Sequence, residues 1–156
     1  SWDSNAQIIL HGVSMGAATV LMASGEELPE NVKVIIADCG YTSEWDEFKC
    51  EANALHIPWF PVLNAASVMS KLRDGYDFKQ ASALEKVKQS RIPTLFIHGS
   101  DDELVPYSML DKLYSAAACE KECLTVNGAG HALSSSVEPE LYWNTVESFI
   151  EKYLEK

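Results

Sequence analysis

The chain has 156 residues, 47% hydrophobic and 22% charged, and a formal net charge of −11 from 23 acidic against 12 basic side chains. That length and composition fit one globular domain, residues 1–156, with a core of its own rather than a disordered segment or two separate domains. The acidic excess speaks against nucleic acid or an anionic membrane surface as partner, since both need a positive footprint, and no run of 18 apolar residues offers a membrane span.

After SWDSNA the chain enters QIILH, Gln7–His11, an apolar run of strand length. A helix is predicted over Met15–Glu27, rich in small residues. A turn containing Pro29 leads to the second strand, Val32–Cys39 (VKVIIADC). Ile92–His98 (IPTLFIH) reads as the third strand and Glu122–Asn127 (ECLTVN) as the fourth. Between them a helix over Tyr107–Ala118 opens near Pro106, where the ring's fixed φ suits a first turn. A last helix, Glu138–Tyr153, carries Leu141, Val146, Phe149, Ile150 and Tyr153 as its core stripe. Short apolar strands alternating with helices give an α/β class: a parallel sheet with helices on both faces. A helical insert at about 41–90 interrupts the alternation. It holds Trp45, Phe48, Ile57, Trp59, Phe60 and Leu63, read mainly as core, then a helix through Leu72 and another near Ala81–Val87.

Four cysteines, Cys39, Cys50, Cys119 and Cys123, lack the spacing of a zinc ribbon, and no nearby pair of histidines completes a metal site. The reading this favours is four reduced thiols in a cytoplasmic chain, with Cys39 a buried small hydrophobe and no metal or cofactor. The N-terminal residues have no signal-peptide layout and give no address.

Gly12-Val13-Ser14-Met15-Gly16 falls where the first strand gives way to helix. A serine raised on so sharp a turn needs small neighbours two residues away on either side, which Gly12 and Gly16 supply. The helix N-terminus beneath Ser14 offers free N–H groups and a positive dipole end, so the Met15 N–H would face a developing oxyanion. Ser14 also needs a base, and the base an orienting acid, at strand ends on the same sheet edge. HGSDDELVP follows the third strand and NGAGHALSS the fourth, giving the chain order Ser14, aspartate, His131. Glycines before His131 and small residues after it let its ring approach Ser14. His11 and His98 end strands directly before glycine and are read as buried imidazoles satisfied by backbone; His56 has no supporting spacing.

The stretches HGVSMGAA, PTLFIHGSDDELVP and GAGHA resemble the second half of an α/β-hydrolase, in the single-domain serine esterase and lipase-like group related to prolyl-oligopeptidase catalytic domains. ADCGYTSEWDEF is similar to a group of bacterial hydrolases that are mostly uncharacterised. The resemblance spans nearly the whole chain. Its pattern HG-x-x-D-x-x-VP implies Asp102 as the acid, leaving Asp101 and Asp38 as alternatives, and it carries the nucleophile to Ser14 and the base to His131.

The implied function is a serine hydrolase cleaving carboxylic esters with a short or medium acyl group through an acyl-enzyme. Met15, Leu104, Val105, Leu133 and part of the insert would supply an apolar acyl site. No acidic residue is evidently placed to recognise a free amino terminus, which puts peptidase or thioesterase chemistry second. The alternative outside catalysis is an inactive fragment or a binding module of the same fold. In the family the second oxyanion N–H comes from a loop upstream of the elbow, and this sequence has only SWDSNA there. The chain is therefore expected to be the C-terminal part of a hydrolase. Its first strand would then be an exposed edge that pairs with a second copy or with an N-terminal segment.

Overall fold

The computed structural model describes residue 3 and residues 6–154. Four parallel strands, β1 (Ile8–Val13), β2 (Val32–Asp38), β3 (Thr94–Gly99) and β4 (Lys121–Val126), form one sheet in sequence order. Helix α1 (Met15–Ala23) joins β1 to β2. Three helices, α2 (Glu44–Ala54), α3 (Trp59–Asp74) and α4 (Ala83–Val87), lie between β2 and β3. Helix α5 (Ser108–Ala116) joins β3 to β4, and α6 (Ser134–Val137) and α7 (Pro139–Tyr153) close the chain.

Alternation along the two central strands divides the core. Ile35, Ala37 and Phe96 point to one face, where they meet Ala17 and Leu21 of α1, Ala83 and Val87 of α4, and Leu110 and Leu113 of α5. Val34, Ile36, Leu95 and Ile97 point to the other, against Tyr142, Val146 and Phe149 of α7. A strand buried on both faces has few polar positions to spare, which is why β2 and β3 carry the apolar runs VIIA and LFI at their centres. Burial of such side chains stabilises the fold by about 1.5–3 kcal/mol each. No described helix is long and apolar enough to cross a membrane.

Several boundaries differ from the sequence expectation. β1 runs through Gly12 and Val13 rather than stopping at His11, because its ladder to β2 continues to the Val13–Asp38 pair. α1 ends at Ala23, four residues before Glu27, where Ser24 caps it and Gly25 turns the chain. On α7 the buried residue of the first turns is Tyr142, whereas Leu141 is 46% exposed. The insert aromatics are not mainly core either. Phe60 is 64% and Ile57 47% exposed, and Leu63 is the buried one of the group.

Candidate functional site

Because all four strands are parallel, their C-terminal ends share one edge of the sheet, and the segments that leave β1, β3 and β4 bring three side chains together there. Ser14 is the residue between β1 and α1. Its φ of 55° and ψ of −117° leave the regions that L residues ordinarily occupy, and its N–H is tied to the Asp38 carbonyl at 2.8 Å. Gly12 makes this turn fit. A Cβ on it would lie 2.2 Å from the Gly16 carbonyl oxygen, so only a hydrogen there lets α1 start so close to β1. The matching expectation for Gly16 fails, since a Cβ there meets nothing within 4 Å.

His131 is carried by the loop after β4. That loop lies against the end of β3: the Asp101 N–H donates to the Ala129 carbonyl at 3.0 Å, and the Gly128 N–H to the Ser100 hydroxyl at 2.8 Å. Gly99 permits the approach, because a Cβ there would stand 2.2 Å from the Ala129 oxygen. The His131 Nε2 lies 2.8 Å from the Ser14 Oγ, and its Nδ1 lies 2.8 Å from the Asp102 Oδ2. A carboxylate only accepts, so Nδ1 carries the proton and donates it, leaving Nε2 to accept from the serine hydroxyl.

Asp102 is fixed from three sides. Its Oδ1 accepts from the N–H groups of Leu104 and Val105, at 3.0 and 2.8 Å. The His98 Nε2 stands 3.3 Å from its Oδ2 and 3.0 Å from the Val105 carbonyl. Burial alone would raise the carboxyl, but the hydrogen bonds from His98, His131 and the Val105 N–H outweigh it and hold the group below the ordinary aspartate range.

The other sequence candidates lie elsewhere. Asp101 is exposed, with the Ser100 hydroxyl donating to it. Asp38 is buried beneath the edge beside Tyr142 and Ser134, and that burial raises its carboxyl. His98 is buried, and its Nε2 reaches backbone as expected, with Asp102 as a further neighbour, but its Nδ1 is buried without a partner. His11 is not buried. It is exposed, and its Nε2 lies 3.0 Å from the Tyr142 hydroxyl. His56 is an exposed residue of positive φ between α2 and α3. Met15 opens α1, so its N–H has no acceptor within the helix and stands one residue from Ser14.

The four cysteines are free thiols, and Cys39 is buried. Cys39, Asp102 and His131 bring one ligand atom each within 4.8 Å of one another. As a metal site the group fits poorly. Burial and the Asp38 charge push the Cys39 thiol up to about 12, and both other members are already engaged in hydrogen bonds.

Beside Ser14 opens a cavity of about 170 Å³ lined by Met15, Tyr41, Phe48 and Leu104 and by three carboxylates of α2, Glu44, Glu47 and Glu51. Phe48 and Glu51 also line an apolar groove of about 350 Å³ that continues over Leu55, Trp59 and Val62. Of the residues expected to form an acyl site, Met15 and Leu104 face this cavity, while Val105 is wholly buried and Leu133 is exposed outside its lining. The carboxylates went unrecognised in the sequence. The available signal was SEWDEFKCE directly after β2, with acids three and four residues apart on one helical face. Ser43 starts that helix by accepting the Asp46 N–H, and the Thr42 hydroxyl bonds the Asp46 carboxylate at 2.6 Å, which sets the face turned to Ser14.

A parallel sheet with helices on both faces and serine, histidine and aspartate linked at its C-terminal edge is an α/β-hydrolase arrangement. The chain belongs to the prolyl oligopeptidase family, which it matches over residues 2–156. It is 31% identical over 143 residues to the uncharacterized protein YqkD of Bacillus subtilis, covering 91% of this chain and 47% of that protein. It is 30% identical over 106 residues to human alpha/beta hydrolase domain-containing protein 17C, covering 66% of this chain and 32% of the other. The chain thus spans about half or less of the relatives it matches. In fold it is similar to the esterase domain of a Rhodothermus marinus protein, with a TM-score of 0.67 at 21% identity over 93% of this chain and 60% of the other. Acylaminoacyl peptidase from Pyrococcus horikoshii gives a TM-score of 0.73 at 17% identity, over 98% of this chain and 25% of that one.

Proposed function

We propose that the chain carries the catalytic centre of a serine hydrolase that cleaves carboxylic esters with a short or medium acyl group. The observation that carries this reading is the unbroken relay from the Ser14 Oγ through His131 to Asp102, at 2.8 Å in each link. In the reaction the Ser14 Oγ attacks the ester carbonyl while the His131 Nε2 accepts its proton. Asp102 keeps the ring in the accepting tautomer and offsets the charge of the imidazolium. The Met15 N–H, at the positive end of α1, meets the oxyanion of the tetrahedral intermediate. His131 then gives its proton to the leaving alcohol, and water repeats the sequence to release the acid. Phe48, Met15 and Leu104 offer apolar walls to the acyl group beside Ser14.

Hydrolysis of p-nitrophenyl acetate and butyrate tests the reading, with Ser14→Ala alongside and the mass followed by light scattering. Turnover that disappears in Ser14→Ala supports it; equal rates in both chains sink it. Asp102→Asn leaves room for the ring but no longer selects its tautomer, and turnover is expected to fall by about 10⁴-fold, as in triads of this geometry.

A further inference from the structure

We infer that Glu47, with Glu44 and Glu51 on the same face of α2, forms a subsite for a protonated amine of the substrate beside Ser14. This rests on the hydrolase reading and names what the acyl part of the ester carries: an amino group close to the scissile carbonyl, as in an aminoacyl ester.

Glu47 is only 7% exposed, yet it lines the Ser14 cavity, and its Oε2 is buried with no hydrogen-bond partner. The Glu44 Oε2, in the same cavity wall, is likewise buried without a partner. Among the described residues none forms an ion pair with Glu44, Glu47 or Glu51. Burial first, then the charges of Glu51 and Asp102, push the Glu47 carboxyl up to about 7. A carboxylate in that position is costly, and removing it from water without a donor is what native structures avoid.

Helix formation does not account for it. Acids in a first turn favour the dipole, but they do so equally well at the solvent rim, as Asp46 and its partner Thr42 illustrate with a satisfied carboxylate. A donor arriving with the ligand does account for it. An ammonium group is compact and has three N–H donors to offer the carboxylates of that cavity wall. A chelated metal ion fits less well. The one three-ligand group among the described residues with its atoms within 4.8 Å is Cys39, Asp102 and His131, and the α2 carboxylates are more widely spread. Because Ser14 and Glu47 share a cavity of about 170 Å³, the amine must sit within a few atoms of the carbonyl. Phe48 and the groove beyond it would receive an apolar side chain.

The test compares the p-nitrophenyl esters of leucine and of 4-methylpentanoic acid, which differ only in the amine, at pH 7 with the unaltered chain and Glu47→Gln. Dividing the kcat/KM ratio of the two esters in one chain by that in the other cancels their intrinsic reactivities. With the unaltered chain over Glu47→Gln and the leucine ester in the numerator, that quotient is expected to be at least ten; a quotient of one overturns the subsite. Calorimetric titration of the unaltered chain with leucinamide and with 4-methylpentanamide needs neither turnover nor a folded variant. Leucinamide is expected to bind at least tenfold more tightly, and equal affinity, or no binding of either amide, overturns the subsite. If neither ester turns over while leucinamide alone binds, the subsite stands and the hydrolase reading falls. If both esters turn over with a quotient of one, the hydrolase stands without it.

Discussion

At Glu47 the fold keeps a carboxyl away from water, and the pH dependence of stability should register it. The group sits at 4.5 when free and at about 7 in the folded chain. Across that window the folded state retains a proton that the unfolded chain has released, so its contribution to stability falls as pH rises and stays lost above about 7. Asp102 has the opposite sign. Its carboxyl is held below the ordinary value, so what it contributes is present at neutral pH and is lost only as acid protonates it. Glu47→Gln removes the first effect and leaves the second. Relative to the unaltered chain, the variant should gain on the order of 1–3 kcal/mol of unfolding free energy between pH 5 and pH 8. Urea unfolding at the two pH values measures this, and an equal difference at both would mean that Glu47 titrates like an exposed acid.

Two close approaches between elements position Ser14 and His131, and each is open to a single substitution. Gly99→Ala places a methyl 2.2 Å from the Ala129 oxygen, so the loop bearing His131 must lift away from β3. On the proposed reading, an ångström of displacement at His131 is enough to reduce turnover about a hundredfold. Gly12→Ala drives a methyl into the Gly16 carbonyl, which should cost roughly 1–3 kcal/mol as α1 shifts from β1. Gly16→Ala is the control. It meets nothing within 4 Å and should leave the melting temperature of the chain unchanged or slightly higher. Thermal unfolding and esterase assays on the three variants separate these outcomes, and equal losses in all three would dismiss the two close approaches. These elements were legible in sequence to different degrees. The strands of the sheet centre announced themselves because burial on both faces concentrates apolar residues, VIIA in β2 and LFI in β3. Helix ends were less legible, since the stop of α1 at Ala23 depends on Ser24 and Gly25 rather than on any change of periodicity. The exposed insert aromatics were misread as core because composition does not say which side of a helix is covered. The meeting of Ser14, an aspartate after β3 and His131 was legible because parallel strands deliver successive loops to one edge, while only the resemblance pointed to Asp102 rather than Asp101 or Asp38. Which face α2 turns to that edge was not readable, and the carboxylates escaped notice with it.

For the molecule as a whole, the two edges of the sheet are built differently. β4 carries Lys121 and Glu122, charges of the kind that discourage another strand from pairing. β1, with the sequence IILHGV, has no acidic or basic side chain apart from His11, and among the described residues it pairs with β2 alone. Its outer N–H and C=O groups therefore offer a free ladder beside apolar side chains, while Val13 and Met15 at the same end are 42% and 70% exposed. An edge of that composition is expected to take up another strand, from a second copy of the chain or from an added N-terminal segment. In a solution of this chain alone only the second copy is available. Mass by light scattering should then rise with concentration, and the β1 amides should exchange with solvent more slowly in the associated form than in the dilute one. A concentration-independent monomer whose β1 amides are already protected would show that the edge is satisfied within the chain. The exposed apolar end at Val13 and Met15 would then have to be explained by substrate contact instead.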